Sequence, residues 1–392
     1  MLLEPQPTCL LIADLSGYTG YLADVELDHA HDILADLLNT VVTALRPTFR
    51  LAKLEGDAAF TVAFVDRPDG TTLLDTIERC YFGFRRRRRD VRQATSCECH
   101  ACVRIPDLDL KFVVHHGQAL VQKVAGRKEL VGSDVILVHR LLKNEVADRF
   151  GIGAYALFTE ACLAAAAIEP QPLGMLATTE SFERIGEVSC WVHDLDRRWR
   201  EEEARVRVFV RPEDAIIDVK VPTRVPPQVA WEFLTVPGRR RTWQPGMTDF
   251  VVTGATGGRR GTGATNHCVH GDDVTLEEIL DWRPYDYLTD RTIVQTPGGP
   301  LRLVHTLELE PTAEGTIIHF RYGPPKAARE RAMALQVAPM FDGLIRQAAD
   351  NLLAAIESDA VGRTGDDLSE PELARPRSDG PLSGLAPITM LD

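Results

Sequence analysis

Two short segments, each with an aspartate beside a turn, constrain this chain most strongly. The first, Asp14-Leu-Ser-Gly-Tyr-Thr19, follows an apolar run at residues 9–13 that is typical of a buried β-strand. Asp14 is therefore expected at the carboxyl end of that strand. Gly17 permits a tight turn whose backbone amides can face a phosphate group.

The second segment, Lys53-Leu-Glu-Gly-Asp57, lies between two apolar stretches, so its Gly-Asp pair is predicted to form the tip of a hairpin. If the two strands meet, Asp14 and Asp57 present two carboxylates side by side. Mg²⁺ binds carboxylate and phosphate oxygens together, so this arrangement favours a metal–nucleotide site. On the residues alone, aspartates that only cap local turns are the other interpretation.

In order, the two segments read Asp-x-x-Gly-Tyr-Thr and Lys-x-x-Gly-Asp, and this pattern resembles the catalytic domain of class III nucleotidyl cyclases, the adenylate and guanylate cyclases. Three later segments resemble the same domain: the strand before its dimer-arm hairpin at 111–117, its W-G-x-x-V-N-x-A-x-R helix at 131–140, and its last hairpin at 184–191. The resemblance implies a ferredoxin-like fold over residues 1–199. It also implies Mg²⁺ or Mn²⁺ with a nucleoside triphosphate, and a homodimer, because the active sites of this family are shared between two catalytic domains.

The same resemblance implies roles for individual side chains. The residues that match functional positions of the family are Asp14 and Asp57 (metal), Lys53 and Glu129 (base recognition), Gly17, Tyr18 and Thr19 (nucleotide binding), and Arg140 (phosphate charge in the transition state). Ile136 departs from the pattern, since active cyclases have an asparagine there that orients the ribose. Isoleucine donates no hydrogen bond, and losing one such donor typically costs about 10²–10³ in rate. Efficient cyclisation is therefore not expected.

Composition and charge restrict the compartment and the partners. The chain has 392 residues, a formal net charge of −13 and 44% hydrophobic residues, which is typical of a globular protein and unfavourable for broad binding to nucleic acid or anionic membranes. No apolar stretch has the length of a membrane span, and the beginning, Met-Leu-Leu-Glu-Pro, does not resemble a signal peptide. We expect a cytoplasmic protein with reduced cysteines. The arginine run at residues 85–89 is expected to form a solvated or acid-paired helix face.

A cluster of thiols occurs in the segment Cys97-Glu-Cys-His-Ala-Cys102. Thiols with a histidine among them are typical ligands of Zn²⁺, so the predicted zinc ligands are Cys97, Cys99, Cys102 and His100. The source of the fourth ligand stays open between His100, His115, His116 and a partner chain. A redox dithiol at Cys99 and Cys102, or thiols without a metal, are the alternatives.

The second half of the chain predicts a different unit over residues 214–358, after a charged linker at 200–213. Its order is a strand, two short helices, several antiparallel strands and a long final helix. The predicted inner stripe of that helix is Met333, Val337, Met340, Phe341, Leu344, Ile345 and Leu352. This order resembles the START-like helix-grip fold of the SRPBCC, or polyketide cyclase/dehydrase, superfamily, which implies an apolar pocket for a hydrophobic small molecule. Residues 359–392 are rich in Pro, Gly, Ser and acids and are predicted to be a disordered tail.

Two residues of this unit are candidates for lining its pocket. Trp243 lies in Pro237-Gly-x-x-x-x-Trp-x-Pro-Gly246, which resembles a helix turn of that superfamily. His305 falls on the same face of a predicted strand as four leucines, at 301, 303, 307 and 309. A histidine there is either a core residue with satisfied hydrogen bonds or a group that orients a ligand carbonyl or carboxylate.

The sequence therefore predicts an α+β protein with two domains, a cyclase-like domain followed by a helix-grip domain. The favoured function is a regulatory or sensor protein that binds a nucleotide and a hydrophobic molecule, with weak or absent cyclisation. An active adenylate cyclase-like enzyme is one alternative. A carrier of hydrophobic metabolites, or a polyketide cyclase-like protein, is the other.

Overall fold

The computed structural model describes residues 4–23, 27–94, 100–124, 127–271, 273–296, 299–325 and 327–363. These residues form two sheets covered by helices, one in each half of the chain. The prediction of an α+β protein is thereby confirmed.

The first half is a sheet with helices on both faces. Its strands are β1 (Gln6–Ser16), β2 (Arg50–Glu55), β3 (Ala58–Phe64), β4 (Asp109–Val124), β5 (Arg127–Val131), β6 (Tyr155–Thr159), β7 (Leu176–Phe182) and β8 (Gly186–Asp194). Its helices are α1 (Tyr18–Ala23), α2 (Leu27–Leu45), α3 (Gly70–Ala94), α4 (His100–Val103), α5 (Ser133–Leu141), α6 (Val146–Phe150), α7 (Glu160–Ala165) and α8 (Leu195–Ala204).

Strand β1 lies inside this sheet, whose order is β2-β3-β1-β4-β6-β8-β7, with β5 paired to β4. Both neighbours of β1, namely β3 and β4, run antiparallel to it. Successive side chains of a strand point to opposite faces, so Leu11 and Ala13 pack in the core with α2 and α3, while Leu10 and Ile12 pack in the core with α5. Burial on both faces explains the uninterrupted apolar run.

The arginine run lies on α3 and is paired with acids. Arg85 contacts Asp196 at 2.7 Å, and Arg87 contacts Asp36 at 2.6 Å. Because their charge is offset within the chain, these side chains form the acid-paired helix face that the sequence predicts.

The second half is a curved antiparallel sheet against one long helix. Its strands are β9 (Ile217–Thr223), β10 (Asp249–Thr253), β11 (Thr265–His270), β12 (Asp273–Arg283), β13 (Tyr287–Thr296), β14 (Gly299–Thr312) and β15 (Gly315–Gly323). Its helices are α9 (Pro227–Thr235), α10 (Pro237–Arg240) and α11 (Ala328–Arg363). The strand order is β10-β11-β12-β13-β14-β15-β9 with every pair antiparallel, as the helix-grip prediction requires.

Helix α11 faces the sheet with most of the predicted stripe. Five of its seven residues pack against the core: Met333, Val337, Phe341, Ile345 and Leu352. Met340 and Leu344 are 61% and 49% exposed, so their prediction as inner residues is wrong. The stripe also contains residues that were not predicted: Ala334, Ala338, Ala349 and Ile356. Met340 lies one residue, about 100° around the helix, from this stripe. Among the described helices, none is both long and apolar enough to cross a membrane.

The two halves contact each other through α3. The Arg259 guanidinium contacts the carboxylates of Asp75, at 2.6 Å, and Glu78, at 2.7 Å. The indole nitrogen of Trp282 donates a hydrogen bond to Asp75 at 2.8 Å. Asp75 and Glu78 are both buried, so these contacts form a desolvated ionic core between the domains.

Candidate functional site

Asp14 and Asp57 lie together at one end of the first sheet. Asp14 is opposite Ala58 in the pairing of β1 with β3, and the backbone nitrogen of Leu15 donates to the Asp57 carbonyl at 3.3 Å. Burial raises the pKa of Asp57, and the neighbouring negative charge of Asp14 raises it further. The two segments that the sequence singled out therefore meet in space.

The chemistry of this pair fits a hard divalent cation. Mg²⁺ is commonly bound by one or two protein carboxylates, with the remaining positions taken by water and substrate phosphates. Among the residues that the structure describes, no group of three or more His, Cys, Asp or Glu side chains is arranged to hold a metal. Asp14 and Asp57 are thus two carboxylates, and the described chain does not by itself supply a complete set of metal ligands around them.

Lys111 is a third charged side chain at this site, and the sequence analysis assigned it no role. It lies opposite Asp14 in the pairing of β1 with β4, and its Nζ is 3.2 Å from Asp14 Oδ2. Its positive charge also lowers the pKa of Asp57, against the larger effects of burial and Asp14. The strand register, which places Lys111 here, is the only signal for this contact.

The turn after β1 requires its glycine. Gly17 has φ +85°, and a Cβ added there would lie 2.5 Å from the backbone oxygen of Asp107. The Gly17 carbonyl accepts a hydrogen bond from the nitrogen of Tyr21 at 2.9 Å, which begins α1. Tyr18 is half-buried and Thr19 is exposed on that short helix.

Within the described residues, no hydrogen bond or ion pair joins the predicted base-recognition residues to the aspartates. Lys53 is exposed on β2, with its Nζ 3.7 Å from a Glu55 oxygen. Glu129 is half-buried on β5, opposite Gln122 of β4.

Helix α5 presents Ile136 and Arg140 outward, one turn apart. Ile136 is 57% exposed, and Arg140 is exposed, with no hydrogen bond or ion pair from its side chain to the rest of the described chain. Asp134 anchors the helix, because its carboxylate accepts from the Gln118 nitrogen at 2.7 Å and from His115 Nε2 at 3.2 Å. The outward face of α5 is therefore available to a second molecule.

The predicted zinc ligands are only partly described. Cys97 and Cys99 lie outside the described residues, while His100 is exposed and Cys102 is buried in the core of the first half. Both ring nitrogens of His115 are occupied, by Thr159 at 2.9 Å and by Asp134. His115 is thus not free to be the fourth ligand, and the zinc site itself stays a prediction.

In the second half, His305 belongs to a buried polar group on the inner face of the sheet. Its Nδ1 donates to Asp290 at 3.2 Å, and Thr292 donates to the other Asp290 oxygen at 2.7 Å. The His305 ring stacks on Tyr322 with 4.1 Å between ring centres. Its Nε2 is buried and has no hydrogen-bond partner among the described residues. This free nitrogen distinguishes His305 from a fully satisfied core histidine.

Trp243 has the contacts of a core residue. It is 2% exposed, and its indole nitrogen donates to the Phe233 carbonyl at 2.8 Å. Beside it, Arg240 and Glu277 form a buried ion pair at 2.6 Å that the sequence analysis missed. Their separation in sequence leaves no local pattern that would reveal the pair.

A protein of Mycobacterium tuberculosis (strain ATCC 25618 / H37Rv), named uncharacterized protein Rv2561/Rv2562, is 40% identical to this chain over 170 residues. The match covers 41% of this chain and 73% of the mycobacterial protein. The chain belongs to the family of that protein. Its residues 34–149 also match a family described as protein of unknown function, DUF2652.

Residues 214–357 of the present chain match the family described as polyketide cyclase / dehydrase and lipid transport. The predicted helix-grip domain is thereby confirmed. Among solved structures, the guanylyl cyclase Cya2 is similar at 16% identity and a TM-score of 0.38, over 49% of this chain and 93% of that chain. The adenylyl cyclase CyaB from P. aeruginosa is similar at 16% identity and a TM-score of 0.37, over 50% of this chain and 97% of that chain.

Proposed function

We propose that this chain is a two-domain regulatory protein that binds a nucleoside triphosphate with Mg²⁺ or Mn²⁺ in its first half and a hydrophobic small molecule in its second. The observation that carries the proposal is the meeting of Asp14 and Asp57 at the end of β1 and β3. Asp14 raises the pKa of Asp57, and a divalent cation bound between the two carboxylates would offset the repulsion that causes this shift.

When bound, the cation neutralises phosphate charge and holds the triphosphate in one orientation. The chain's own groups serve the same purpose. Gly17 shapes the turn beside the aspartates, and Arg140 supplies a guanidinium that is not engaged by any described residue. An arginine suits phosphate recognition because its planar fork makes two parallel hydrogen bonds.

Weak or absent cyclisation follows from Ile136. This side chain is exposed on the same face of α5 as Arg140, where the related cyclases carry a hydrogen-bonding asparagine. A missing donor that acts mainly in the transition state lowers turnover more than it lowers affinity. We therefore assign this half a binding role.

The outward face of α5 supports a homodimer, since Ile136 and Arg140 have no site to complete within their own described chain. In a dimer, α5 of one chain faces the aspartates of the other. Sedimentation at micromolar concentration with nucleotide present tests this arrangement, and a monomer would remove the basis for a shared site.

The nucleotide half is tested by measuring ATP and GTP binding and cyclic product formation together, with Mg²⁺ or Mn²⁺. We expect wild type to bind nucleotide only with metal and to turn it over poorly. Asp57→Ala should lose metal-dependent binding, and Ile136→Asn should keep binding and gain turnover if the remaining groups are intact. Val274→Asn, which changes an equally apolar exposed residue of the second half, is the matched control.

Either of two results would contradict the nucleotide proposal. Efficient turnover by wild type would favour an active adenylate cyclase-like enzyme. Nucleotide affinity that is unchanged in Asp57→Ala would leave the hydrophobic-metabolite carrier as the better reading of the chain.

The second half is suited to a mostly apolar ligand with one polar group. Small residues, Ala334 and Ala338, occupy the first part of the α11 stripe, and Ala334 lies in an apolar cluster with Leu301 and Leu303 of β14. His305 lies on that sheet with Nε2 free to accept a hydrogen bond. Apolar walls with few convergent polar groups are typical of small-molecule sites.

A further inference from the structure

A cavity of about 470 Å³ lies between the two halves of the chain. Its walls come from α3, α8, the loop at residues 172–174, the turn at 254–262, and Trp282 with Pro284. Small-molecule sites in proteins usually measure about 300–1,000 Å³, so the space accommodates a metabolite. It is separate from both the aspartate pair and His305, neither of which lines it.

Arginines dominate the charged lining of this cavity. The charged residues are Arg79, Arg197, Arg198, Arg205, Arg259 and Arg260 against Glu78, Glu201 and Glu202. Four of the arginines are held by close carboxylates. Arg198 and Arg259 contact Glu78, at 2.9 and 2.7 Å. Arg260 contacts Asp69 at 2.9 Å, and Arg205 contacts Asp281 at 2.8 Å.

Arg79 and Arg197 are the two arginines whose charge is least offset. Within the described residues, the Arg79 side chain makes no hydrogen bond and no ion pair, although the residue is half-buried. Arg197 donates from one terminal nitrogen to the carbonyls of Leu173 and Gly174, at 3.1 and 3.2 Å. Its nearest carboxylate oxygen, on Glu201, is 3.6 Å away, beyond hydrogen-bond length.

Three nitrogens on the lining residues are buried without a hydrogen-bond partner among the described residues: Nε of Arg197, Nε of Arg260 and Nδ1 of His193. A buried polar group without a hydrogen-bond partner destabilises the folded protein. Several such groups around one cavity indicate that polar atoms from outside the chain complete their hydrogen bonds.

We propose that this interdomain cavity is a binding site for a small oxyanion, a phosphorylated or carboxylated metabolite, whose negative group is bound by Arg79 and Arg197. Arginine is the residue of choice because a guanidinium donates two parallel hydrogen bonds to either a phosphate or a carboxylate. Arg79 and Arg197 belong to the first half, and Arg259 and Arg260, which line the same cavity, belong to the second. A bound anion therefore adds to the attraction between the domains.

The test compares wild type with Arg79→Gln, using inorganic phosphate, pyrophosphate and citrate as probes at one fixed ionic strength set with chloride. We expect each binding probe to raise the melting temperature of wild type and to release heat in calorimetric titration, with both effects lost in Arg79→Gln. Response to the two phosphates alone indicates a phosphoryl ligand, and response to citrate alone indicates a carboxylate ligand; either supports the site.

The control variant is Arg92→Gln, an exposed arginine of the same helix about 20 Å along it, which should behave as wild type. Arg79→Lys keeps the positive charge and should retain part of the response. It keeps the test valid if the glutamine variant does not fold. Phosphate and citrate also stabilise proteins by exclusion from the surface. Equal stabilisation of wild type and Arg79→Gln, or no heat with any probe, would overturn the proposal.

The site is independent of the nucleotide proposal. Asp57→Ala should leave the response to the anion probes unchanged, because Asp57 does not line the cavity. Failure of the aspartate site and failure of the interdomain site are therefore distinguishable.

Discussion

Asp57 lies close to Asp14, so two negatively charged carboxylates are neighbours at this site. Burial raises its pKa from the ordinary value of 3.8, and Asp14 raises it further. In the metal-free protein, ionisation of Asp57 is therefore less favourable in the folded state than in the unfolded state. The stability that this group contributes is fully present below the ordinary pKa and is lost as pH rises through the raised pKa.

Replacing Asp57 with asparagine should therefore raise the melting temperature of the metal-free protein at neutral pH, while metal-dependent nucleotide affinity falls at least about tenfold. The check is melting in the presence of a chelator from about pH 4 to 7, where the advantage of the variant should shrink as pH falls. Asp66→Asn, at an exposed position soon after β3, should change neither quantity. A lower melting temperature for Asp57→Asn at neutral pH would contradict this reading.

His305 is the polar residue on which the hydrophobic-ligand proposal depends. Its Nδ1 is committed to Asp290, so a hydroxyl on the ligand can donate to Nε2. We expect His305→Gln to weaken 1-naphthol binding about twofold to tenfold, the value of one hydrogen bond. Naphthalene has no donor, so its affinity should not change.

Fluorescence titration of both probes checks this expectation. His267→Gln is the control, because His267 bonds Thr253 on the outer part of the sheet. An equal loss of affinity for 1-naphthol and for naphthalene would show that His305 acts only through packing.

At the scale of elements, the position of α5 depends on one glycine of β4. A Cβ added to Gly117 would lie 2.4 Å from Cγ and 2.8 Å from Cβ of Asp134. Asp134 holds the first turn of α5 through the Gln118 nitrogen and His115. A side chain at position 117 would push this whole turn outward.

Gly117→Ala should therefore destabilise the protein by about 1–3 kcal/mol, the usual cost of overpacking. Urea denaturation measures it. Gly83→Ala, within α3 and with no atom within 4 Å of its added Cβ, should instead stabilise by about 0.5–1 kcal/mol. A free energy of unfolding that is unchanged in Gly117→Ala would show that α5 is not fixed by this contact.

At the scale of the whole molecule, the two halves are joined by an ionic core in which, among the described residues, Asp75 forms an ion pair with one cation. Its ion pair is with Arg259, whose side chain is 12% exposed. Burial raises the pKa of Asp75, whereas Arg259 and Arg198 hold the pKa of Glu78 well below its ordinary value despite burial. Removing Arg259 leaves buried carboxylate charge without its main partner.

We expect Arg259→Gln to cost about 3–5 kcal/mol, the range for breaking a buried ion pair by removing one partner. Scanning calorimetry should show the two halves melting in separate transitions. Arg241→Gln is the control, since Arg241 forms an exposed ion pair with Asp249 at 3.7 Å and should contribute little. One unshifted transition in Arg259→Gln would mean that the domains are coupled by other contacts.

The sequence by itself determined the local elements and their class. The apolar run before Asp14 and the turn glycine at 17 predict a strand and turn, because side-chain alternation and left-handed backbone depend on neighbouring residues only. Alternation likewise placed His305 on the buried face with the leucines of β14. The resemblance of short motifs predicted the fold of the first half, and the order of elements predicted that of the second.

The tertiary structure alone decided which side chains became partners across the fold. Lys111 reaches Asp14 only through strand register, and Asp290 reaches His305 in the same way. Register depends on where whole strands are buried, so no local pattern shows it. The rotation of α11, and with it the exposure of Met340, depends on packing against the sheet. Arg259 finds Glu78 at a separation of 181 residues, where only the docking of two separate cores brings them together.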